Sequence, residues 1–189
     1  MEYYHIQIGA LDRALPVIPV SEKTAIASFV MLGDTELIEV SADALVNHEK
    51  FPREKTDLLV CPEAKSLPLT HAMARLLGIR YVVVRKQIKT YMRNPLVEPV
   101  SSITTEGEQL LVLDGTDREL LAGKQVCLVD DVVSTGGSFA SMRKLLSKTN
   151  CTIIAESAVL LEEGGYPGEN LIYLQKIPVF PIAGKKCNN

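Results

Sequence analysis

The stretch VCLVDDVVSTGGS, residues 126–138, is the part of the sequence that decides the fold. Its first four residues, Val126–Val129, form an uninterrupted apolar run of the kind found in strands buried on both faces. Asp130 and Asp131 come next, a loop of Ser, Thr and Gly follows, and a helical pattern of apolar residues then covers 139–146. A strand, a Gly-rich turn and an amphipathic helix in this order predict a parallel α/β unit.

The same alternation extends outward from this unit. Short apolar runs at Leu58–Cys61, Tyr81–Val84 and Thr152–Leu161 predict further strands. Helical spacing of apolar residues from Ser66 to Gly78 predicts a helix between the first two of these strands. We therefore expect an α/β fold with a mostly parallel central sheet and helices on both faces.

The 189 residues are expected to form a single domain, 1–189. The core should take about 46–162, while the segments 1–45 and 163–189 do not fit the alternation and should pack together as a small hood at one end of the sheet. Between Lys86 and Gly107 the periodicity fails. A polar, patternless segment of that length is typical of a functional flap or of a disordered loop, and we take 87–107 as a candidate lid.

Composition excludes several classes of protein. Apolar residues make up 47% of the chain, charged residues 23%, and the net charge is −3, so neither a disordered chain nor a coat for nucleic acid or membrane is expected. No apolar run approaches the roughly 20 residues of a spanning helix, and no secretory signal is recognisable. The four widely spaced Cys residues predict free thiols, no structural zinc and a reducing, cytoplasmic location.

The carboxyl end of the strand at Val129 carries the chemistry, because ligands of an open parallel sheet bind beyond the carboxyl ends of its strands. In the loop that follows, glycines turn backbone N–H groups toward an anion and hydroxyls add donors beside a helix N-terminus; the residues are Ser134, Thr135, Gly136, Gly137 and Ser138. Asp130 and Asp131 suit sugar hydroxyls or hydrated Mg²⁺ instead. The alternative is an acidic turn followed by a helix that Ser134 or Ser138 caps. A P-loop nucleotide site is excluded, since no G-x-x-x-x-G-K-[ST] is present.

Two other strand ends carry polar residues. After the strand at Leu58–Cys61, the tetrapeptide Glu63-Ala64-Lys65-Ser66 offers backbone N–H groups and a Lys at a helix N-terminus, which would bind a diphosphate. A simple helix N-cap is the alternative reading of this tetrapeptide. After Tyr81–Val84, the segment from Arg85 to Tyr91 is basic, and it would either neutralise a pyrophosphate or form a solvated strand end.

Together the three strand ends resemble the type I phosphoribosyltransferases, which transfer ribose 5-phosphate from phosphoribosyl pyrophosphate (PRPP) to a nucleobase. The string from Asp130 to Ser138 looks like the signature of that family, and Glu63–Ser66 resembles the Glu-Ala-Arg-Gly of its adenine enzymes. Arg85-Lys86 matches the basic pair before the family's flexible flap. The resemblance covers about 55–162 and implies the family's fold, Mg²⁺ as cofactor, PRPP and a nucleobase as ligands, a role in purine salvage, and a homodimer.

The resemblance also implies the site residues. The catalytic set is Asp130, Asp131, Lys86 and Lys89. The PRPP-binding set is Ala64, Lys65, Ser66, Arg85, Lys86, Lys89, Tyr91, Asp130, Asp131, Ser134, Thr135, Gly136, Gly137 and Ser138. In the family the two acids contact the ribose hydroxyls, the loop holds the 5-phosphate, and Mg²⁺ is held through substrate and water, with Asp130 or Asp131 as the nearest protein groups.

For the accepted base, the resemblance favours adenine, with xanthine as an alternative. Ser134 stands where hypoxanthine–guanine enzymes carry an Asp that acts near the purine N7, which argues against a close relative of that kind. The segment Leu15–Leu32 does not match the adenine pattern, and orotate enzymes share a similar Ser-Thr-Gly-Gly-Ser loop, so an orotate-like enzyme is a second alternative. A PRPP-sensing regulator without catalysis is a third, although the chain has no helix-turn-helix pattern or basic excess for binding DNA.

Overall fold

The structure is a computed structural model that describes residues 2–100, 109–166, 168 and 170–182. In chain order its strands are β1 (Tyr3–Ile8), β2 (Leu11–Pro19), β3 (Thr24–Ala27), β4 (Leu58–Pro62), β5 (Arg80–Val84), β6 (Leu96–Val100), β7 (Gln109–Leu113), β8 (Gln125–Val133), β9 (Thr152–Glu162), β10 (Leu171–Ile177) and β11 (Val179–Pro181). The α-helices are α1 (Thr35–Val46), α2 (Leu67–Leu77), α3 (Gly115–Leu121) and α4 (Gly137–Leu146), and Arg53–Lys55 form a short 3₁₀ turn. Among the described residues no helix is long and apolar enough to cross a membrane.

Five strands form the central sheet in the order β10-β9-β8-β4-β5, and every neighbouring pair is parallel. The predicted α/β class with a parallel sheet is therefore confirmed. β8 lies in the middle and continues to Val133, so Asp130 and Asp131 lie inside the strand and not after it, as the sequence pattern indicated. Because the strands are parallel, the carboxyl ends of β4, β5, β8 and β9 meet at one edge of the sheet.

Helices cover both faces of the sheet, and the side chains of each strand alternate between them. On β4, Leu59 and Cys61 pack into the cluster that contains α1 and α2. Leu58 and Val60 pack into the cluster on the other face, with α4 and Leu121 of α3. This two-residue period explains why β4 reads as a continuous apolar run, since both of its faces are buried.

The hood is a four-stranded antiparallel sheet in the order β1-β2-β3-β11, built from both ends of the described chain. Val179 of β11 pairs with Ile26 of β3, so the two outlying segments do pack together. The expected boundaries differ from the structure in two places. All of α1 except its last residue, Val46, lies within 1–45, but the helix packs on α2, and β10 lies within 163–189 but pairs with β9 in the central sheet.

β6 and β7 form a two-stranded antiparallel arm beside α4. The ammonium of Lys148, just after α4, donates to the carbonyl oxygen of Val97 at 2.6 Å and lies 2.8 Å from the carboxylate of Glu98. The interpretation of 87–107 as a patternless lid is therefore wrong for Leu96–Val100, which is a strand. Its Glu and Pro hide the alternation, and Pro99 is tolerated because β6 has a neighbour on one side only. The part of the candidate lid at 101–108 lies outside the described residues.

Candidate active site

A cavity of about 600 Å³ lies at the carboxyl edge of the central sheet, between that edge and the hood. Eight of the predicted site residues line it: Ala64, Lys65, Ser66, Lys86, Asp130, Asp131, Ser134 and Ser138. The other predicted residues, Arg85, Lys89, Tyr91, Thr135, Gly136 and Gly137, are described by the structure but are not part of the lining. The three strand ends that the sequence singled out thus do converge on one cavity.

Asp130 and Asp131 lie side by side at the floor of this cavity, and both are buried. The backbone N–H of Asp131 donates to Asp130 Oδ1 at 2.9 Å. Burial, and then the charge of Asp131, raise the pKa of Asp130 above its usual range, while the charge of Lys65 opposes the shift. Asp131 Oδ2 is buried and has no hydrogen-bond partner among the described atoms. An unsatisfied buried acceptor costs free energy, so this oxygen is poised to accept from a ligand hydroxyl or from metal-bound water.

The helix N-termini at the cavity differ from those elsewhere in the fold. α2 begins after Ser66 and α4 begins after Gly136, and neither helix has a side-chain cap. By contrast, Asp34 caps α1 and Asp114 caps α3, each by accepting a backbone N–H of the first turn. Carboxylate caps are therefore present on the two helices away from the cavity and missing on the two that border it. Uncapped first-turn N–H groups beside the positive end of the helix dipole form a binding site for anions.

The alternative reading of both loops as ordinary helix caps is wrong. Ser66 stands at the N-cap position of α2, but its hydroxyl donates backward to the carbonyl oxygen of Pro62 at 3.0 Å. At α4 the N-cap residue is Gly136 in a left-handed conformation, φ 78°, and neither Ser134 nor Ser138 makes a capping bond. Ser134 and Ser138 instead line the cavity.

The loop from Glu63 to Ser66 connects β4 to α2, and its Glu63–Ala64 peptide bond is cis. Glu63 accepts from the backbone N–H of Lys86 at 2.8 Å and pairs with Arg85 at 3.1 Å. Although burial opposes it, these two donors hold the pKa of Glu63 below its ordinary value. Glu63 therefore ties the end of β4 to the end of β5, and Lys65 is left to face the cavity beside Asp130.

The basic residues after β5 divide into two groups. The Lys86 side chain lines the cavity, whereas Arg85 points to Glu63 and lies 3.4 Å from the hydroxyl of Tyr91. Tyr91 is exposed, and Lys89 uses its backbone N–H on the sulfur of Met92 at 3.4 Å. In this structure Arg85 forms an ion pair with Glu63, and Lys86, like Lys65, is a cation that a ligand in the cavity would meet.

Several lining residues were missed by the sequence analysis. From the hood, Ile26, Ala27, Ser28 and Phe29 form one wall, and Glu162 at the end of β9 lies on another. Three of these hood residues, Ile26, Ala27 and Phe29, are apolar and match an ordinary core pattern, and Ser28 is a single polar residue among them. Glu162 was detectable, because it follows the predicted strand Thr152–Leu161 and the strand-end rule applies to it equally. Burial raises the pKa of Glu162, and no ion pair of the described residues includes it.

The residues that line the cavity fit a magnesium ion that is held mainly by substrate oxygens and water. Within the described ranges no three His, Cys, Asp or Glu side chains are grouped as a metal site. Mg²⁺ commonly keeps several waters and is bound by one or two carboxylates together with substrate phosphates. Asp130 and the unpartnered oxygen of Asp131 are the carboxylates of this cavity that would face such an ion.

Comparison with known proteins places this geometry in context. The sequence model of the phosphoribosyl transferase domain matches residues 34–180. A hypoxanthine/guanine phosphoribosyltransferase of Methanothermus fervidus is 34% identical over 124 residues, which are 66% of this chain and 61% of that relative. An adenine phosphoribosyltransferase of Desulfitobacterium hafniense is 30% identical over 138 residues, 73% of this chain and 75% of that protein. The purine biosynthesis transcriptional activator PurR of Lactococcus lactis is 29% identical over 129 residues, 68% of this chain but only 45% of the activator.

Among solved structures, the adenine phosphoribosyltransferase of Giardia lamblia in complex with 9-deazaadenine has the same fold, with a TM-score of 0.64 and 16% identity over 92% of this chain and 93% of that one. The relatives correct one expectation. Ser134 argues against a close hypoxanthine–guanine relative, yet the Methanothermus protein, at 34% identity, carries that name. The match over 34–180 includes all five strands of the central sheet and both loops before α2 and α4, and it shows that this chain belongs to the phosphoribosyl transferase domain family.

Proposed function

We propose that this chain is a purine phosphoribosyltransferase that moves ribose 5-phosphate from PRPP to a nucleobase, with adenine as the favoured base. The single observation that carries the proposal is the pair of uncapped helix N-termini, at α2 and α4, on either side of two buried carboxylates. PRPP carries a diphosphate and a 5-phosphate on opposite sides of a ribose diol. Two anion sites with acceptors between them match that arrangement of charges and hydroxyls.

In the proposed reaction the chain binds, orients and shields the substrate. Backbone N–H groups before α4, with Ser134 and Ser138, hold the 5-phosphate. Asp130 and Asp131 accept from the ribose hydroxyls and fix the ring. Lys65 and Lys86 offset the charge that develops on the departing pyrophosphate as the bond at the anomeric carbon breaks. Mg²⁺, when bound, would neutralise further charge on the diphosphate.

The carboxylate of Glu162 favours a nucleobase that carries an amino group. It is a half-buried carboxylate at the cavity without a basic partner in the described part of the chain, so it accepts hydrogen bonds from a ligand. Adenine presents an amino group at C6, where hypoxanthine and xanthine present a carbonyl oxygen that a carboxylate would repel. The family relatives include both adenine and hypoxanthine–guanine enzymes, so the base follows from this side chain and not from the comparisons.

Pyrophosphate release from PRPP and Mg²⁺ tests the proposal, with adenine, guanine, hypoxanthine, xanthine, orotate and uracil offered separately. Wild type should release pyrophosphate fastest with adenine. Because an amide can donate to a carbonyl oxygen, Glu162→Gln should lower kcat/KM for adenine about tenfold and raise kcat/KM for hypoxanthine. Asp131→Asn should lower turnover with every base. Preference for a 6-oxo base in the wild type would contradict the role of Glu162.

A second candidate is a regulator that binds PRPP without turning it over, which the similarity to the Lactococcus activator favours. Calorimetric binding of PRPP, together with no release of pyrophosphate from PRPP in the presence of any of the six bases, would support the regulator and exclude the enzyme. A change in binding to double-stranded DNA when PRPP is added would separate the two candidates further.

A further inference from the structure

The segment that follows β9 packs against the back of the loop 134–138. A Cβ atom added to Gly136 would lie 2.2 Å from Cδ2 of the Tyr166 ring, and one added to Gly165 would lie 2.5 Å from the carbonyl oxygen of Ser134. Both distances are far below van der Waals contact, so ring and loop touch without space for a side chain. The loop thus has the cavity on one side and Tyr166 on the other.

Tyr166 is itself fixed by charged partners. Its hydroxyl donates to Glu156, a buried residue of β9, and Arg143 of α4 donates to the other oxygen of that carboxylate. Arg143 also lies 3.4 Å from the Tyr166 hydroxyl. Burial, and then the bond to Glu156, raise the pKa of Tyr166, which keeps the phenol protonated as a donor. The ring makes a T-shaped contact with Phe139 near the start of α4, with centroids 6.4 Å apart.

We propose that Tyr166 is a positioning residue that holds the loop 134–138 in its anion-binding conformation, an inference that rests on the proposed binding of PRPP by that loop. The loop contains two glycines, and its helix has no side-chain cap, so the loop itself supplies little rigidity. The Tyr166 ring fills the space into which the backbone at Gly136 would relax. Removing the ring therefore frees the loop to turn its N–H groups away from the phosphate.

Calorimetric titration with PRPP and Mg²⁺ measures this role directly. Tyr166→Ala should raise the Kd for PRPP at least about tenfold, since aligned bonds to a charged phosphate are lost. Tyr166→Phe keeps the ring and should bind PRPP within about twofold of wild type, because the packing and not the hydroxyl supports the loop. Tyr173→Ala is the matched control: it removes the same ring from the same apolar cluster, at a position that lines no part of the cavity, and should leave the Kd unchanged.

A double-mutant cycle tests whether the contact between ring and loop is the cause. In wild type, Gly136→Ala drives a Cβ into the ring and should weaken PRPP binding strongly. In the Tyr166→Ala background the same substitution meets no ring and keeps only the strain of its left-handed backbone, so its added effect should be several-fold smaller. Equal effects in both backgrounds would overturn the proposal, and so would a folded Tyr166→Ala protein with the wild-type Kd, or the same loss in Tyr173→Ala. A wild-type chain that binds no PRPP at all would overturn the proposed function as well, which distinguishes the two failures.

Discussion

Replacing Asp130 with Asn should make the fold more stable while it impairs the cavity. The carboxylate of Asp130 is buried beside Asp131, and burial together with that second charge raises its pKa. Asn has nearly the same shape and no charge, and its oxygen can still accept the bond from the N–H of Asp131. We therefore expect Asp130→Asn to require more urea for unfolding than the wild type at pH 8.

Protonation of Asp130 is coupled to folding. The stability that Asp130→Asn gains over wild type therefore depends on pH. Because its pKa is higher in the folded than in the unfolded chain, the wild type loses stability as pH rises from about 4 through the folded pKa. Near pH 4 the carboxyl group is largely protonated in the folded chain, and the two proteins should differ little. One pKa unit corresponds to about 1.4 kcal/mol, so we expect the free energy of unfolding of Asp130→Asn to exceed that of wild type by about 1–3 kcal/mol at pH 8.

Urea unfolding at both pH values, followed by PRPP titration, is the assay. Asp117→Asn serves as the control, since burial and the charge of Asp114 also raise the pKa of Asp117, which lies on α3 and does not line the cavity. For both variants, the amount by which the free energy of unfolding exceeds that of wild type should grow from pH 4 to pH 8. Only Asp130→Asn should also lose about ten- to hundredfold in PRPP affinity, because it lacks a charged acceptor for the ribose. A gain that is equal at the two pH values, or a loss of stability at pH 8, would refute the reasoning.

Three further changes test other parts of the structure. Lys65→Ala should weaken PRPP binding about tenfold with an unchanged unfolding transition, since Lys65 faces the cavity; unchanged binding would remove it from the site. Asp34→Ala removes the cap of α1 and an ion pair with Arg13, and should lower the free energy of unfolding by about 1–2 kcal/mol at pH 7 without altering PRPP binding. Because the bond from Arg13 lowers the pKa of Asp34, this difference should shrink as the pH falls below about 4, and a difference that persists there would speak against the ion pair. Lys148→Ala should speed amide hydrogen exchange in β6, which its ammonium holds through Glu98 and a backbone carbonyl; unaltered exchange would show that the arm is held elsewhere.

The sequence predicted those parts of the fold in which the signal is local. The strands β4, β8 and β9 are largely buried on both faces, and they and the edge strand β5 appear as short apolar runs whose order along the chain predicted a parallel sheet. β10 was assigned to the hood because its sequence, LIYLQKI, mixes apolar and polar residues at the edge of the sheet. β6 escaped notice because Glu98 and Pro99 interrupt it and its partner β7 lies beyond a further segment.

The site divides in the same way. Asp130, Lys65 and the serines of the loop 134–138 were identified because chemistry-bearing residues at strand ends form a recognisable string. The hood wall at 26–29 was not, because β3 lies between its sequence neighbour β2 and the distant strand β11, and no short window of sequence records the contact with β11. The ion pair between Arg85 and Glu63 was not predicted either. Both residues lie at strand ends where a ligand is expected, but their opposite charges pair with each other.

The pairing of β3 with β11 has a consequence for the order in which the cavity is assembled during synthesis. The residues that we propose to face the phosphates of PRPP, from Lys65 to Ser138, precede Val179–Pro181 in the chain and are therefore synthesised first. Until then β3 pairs with β2 alone, and the wall at 26–29 lacks the support of β11. In a nascent chain, the loops proposed to bind the phosphates should therefore form before the hood wall is complete. PRPP could then bind the growing polypeptide before any nucleobase does.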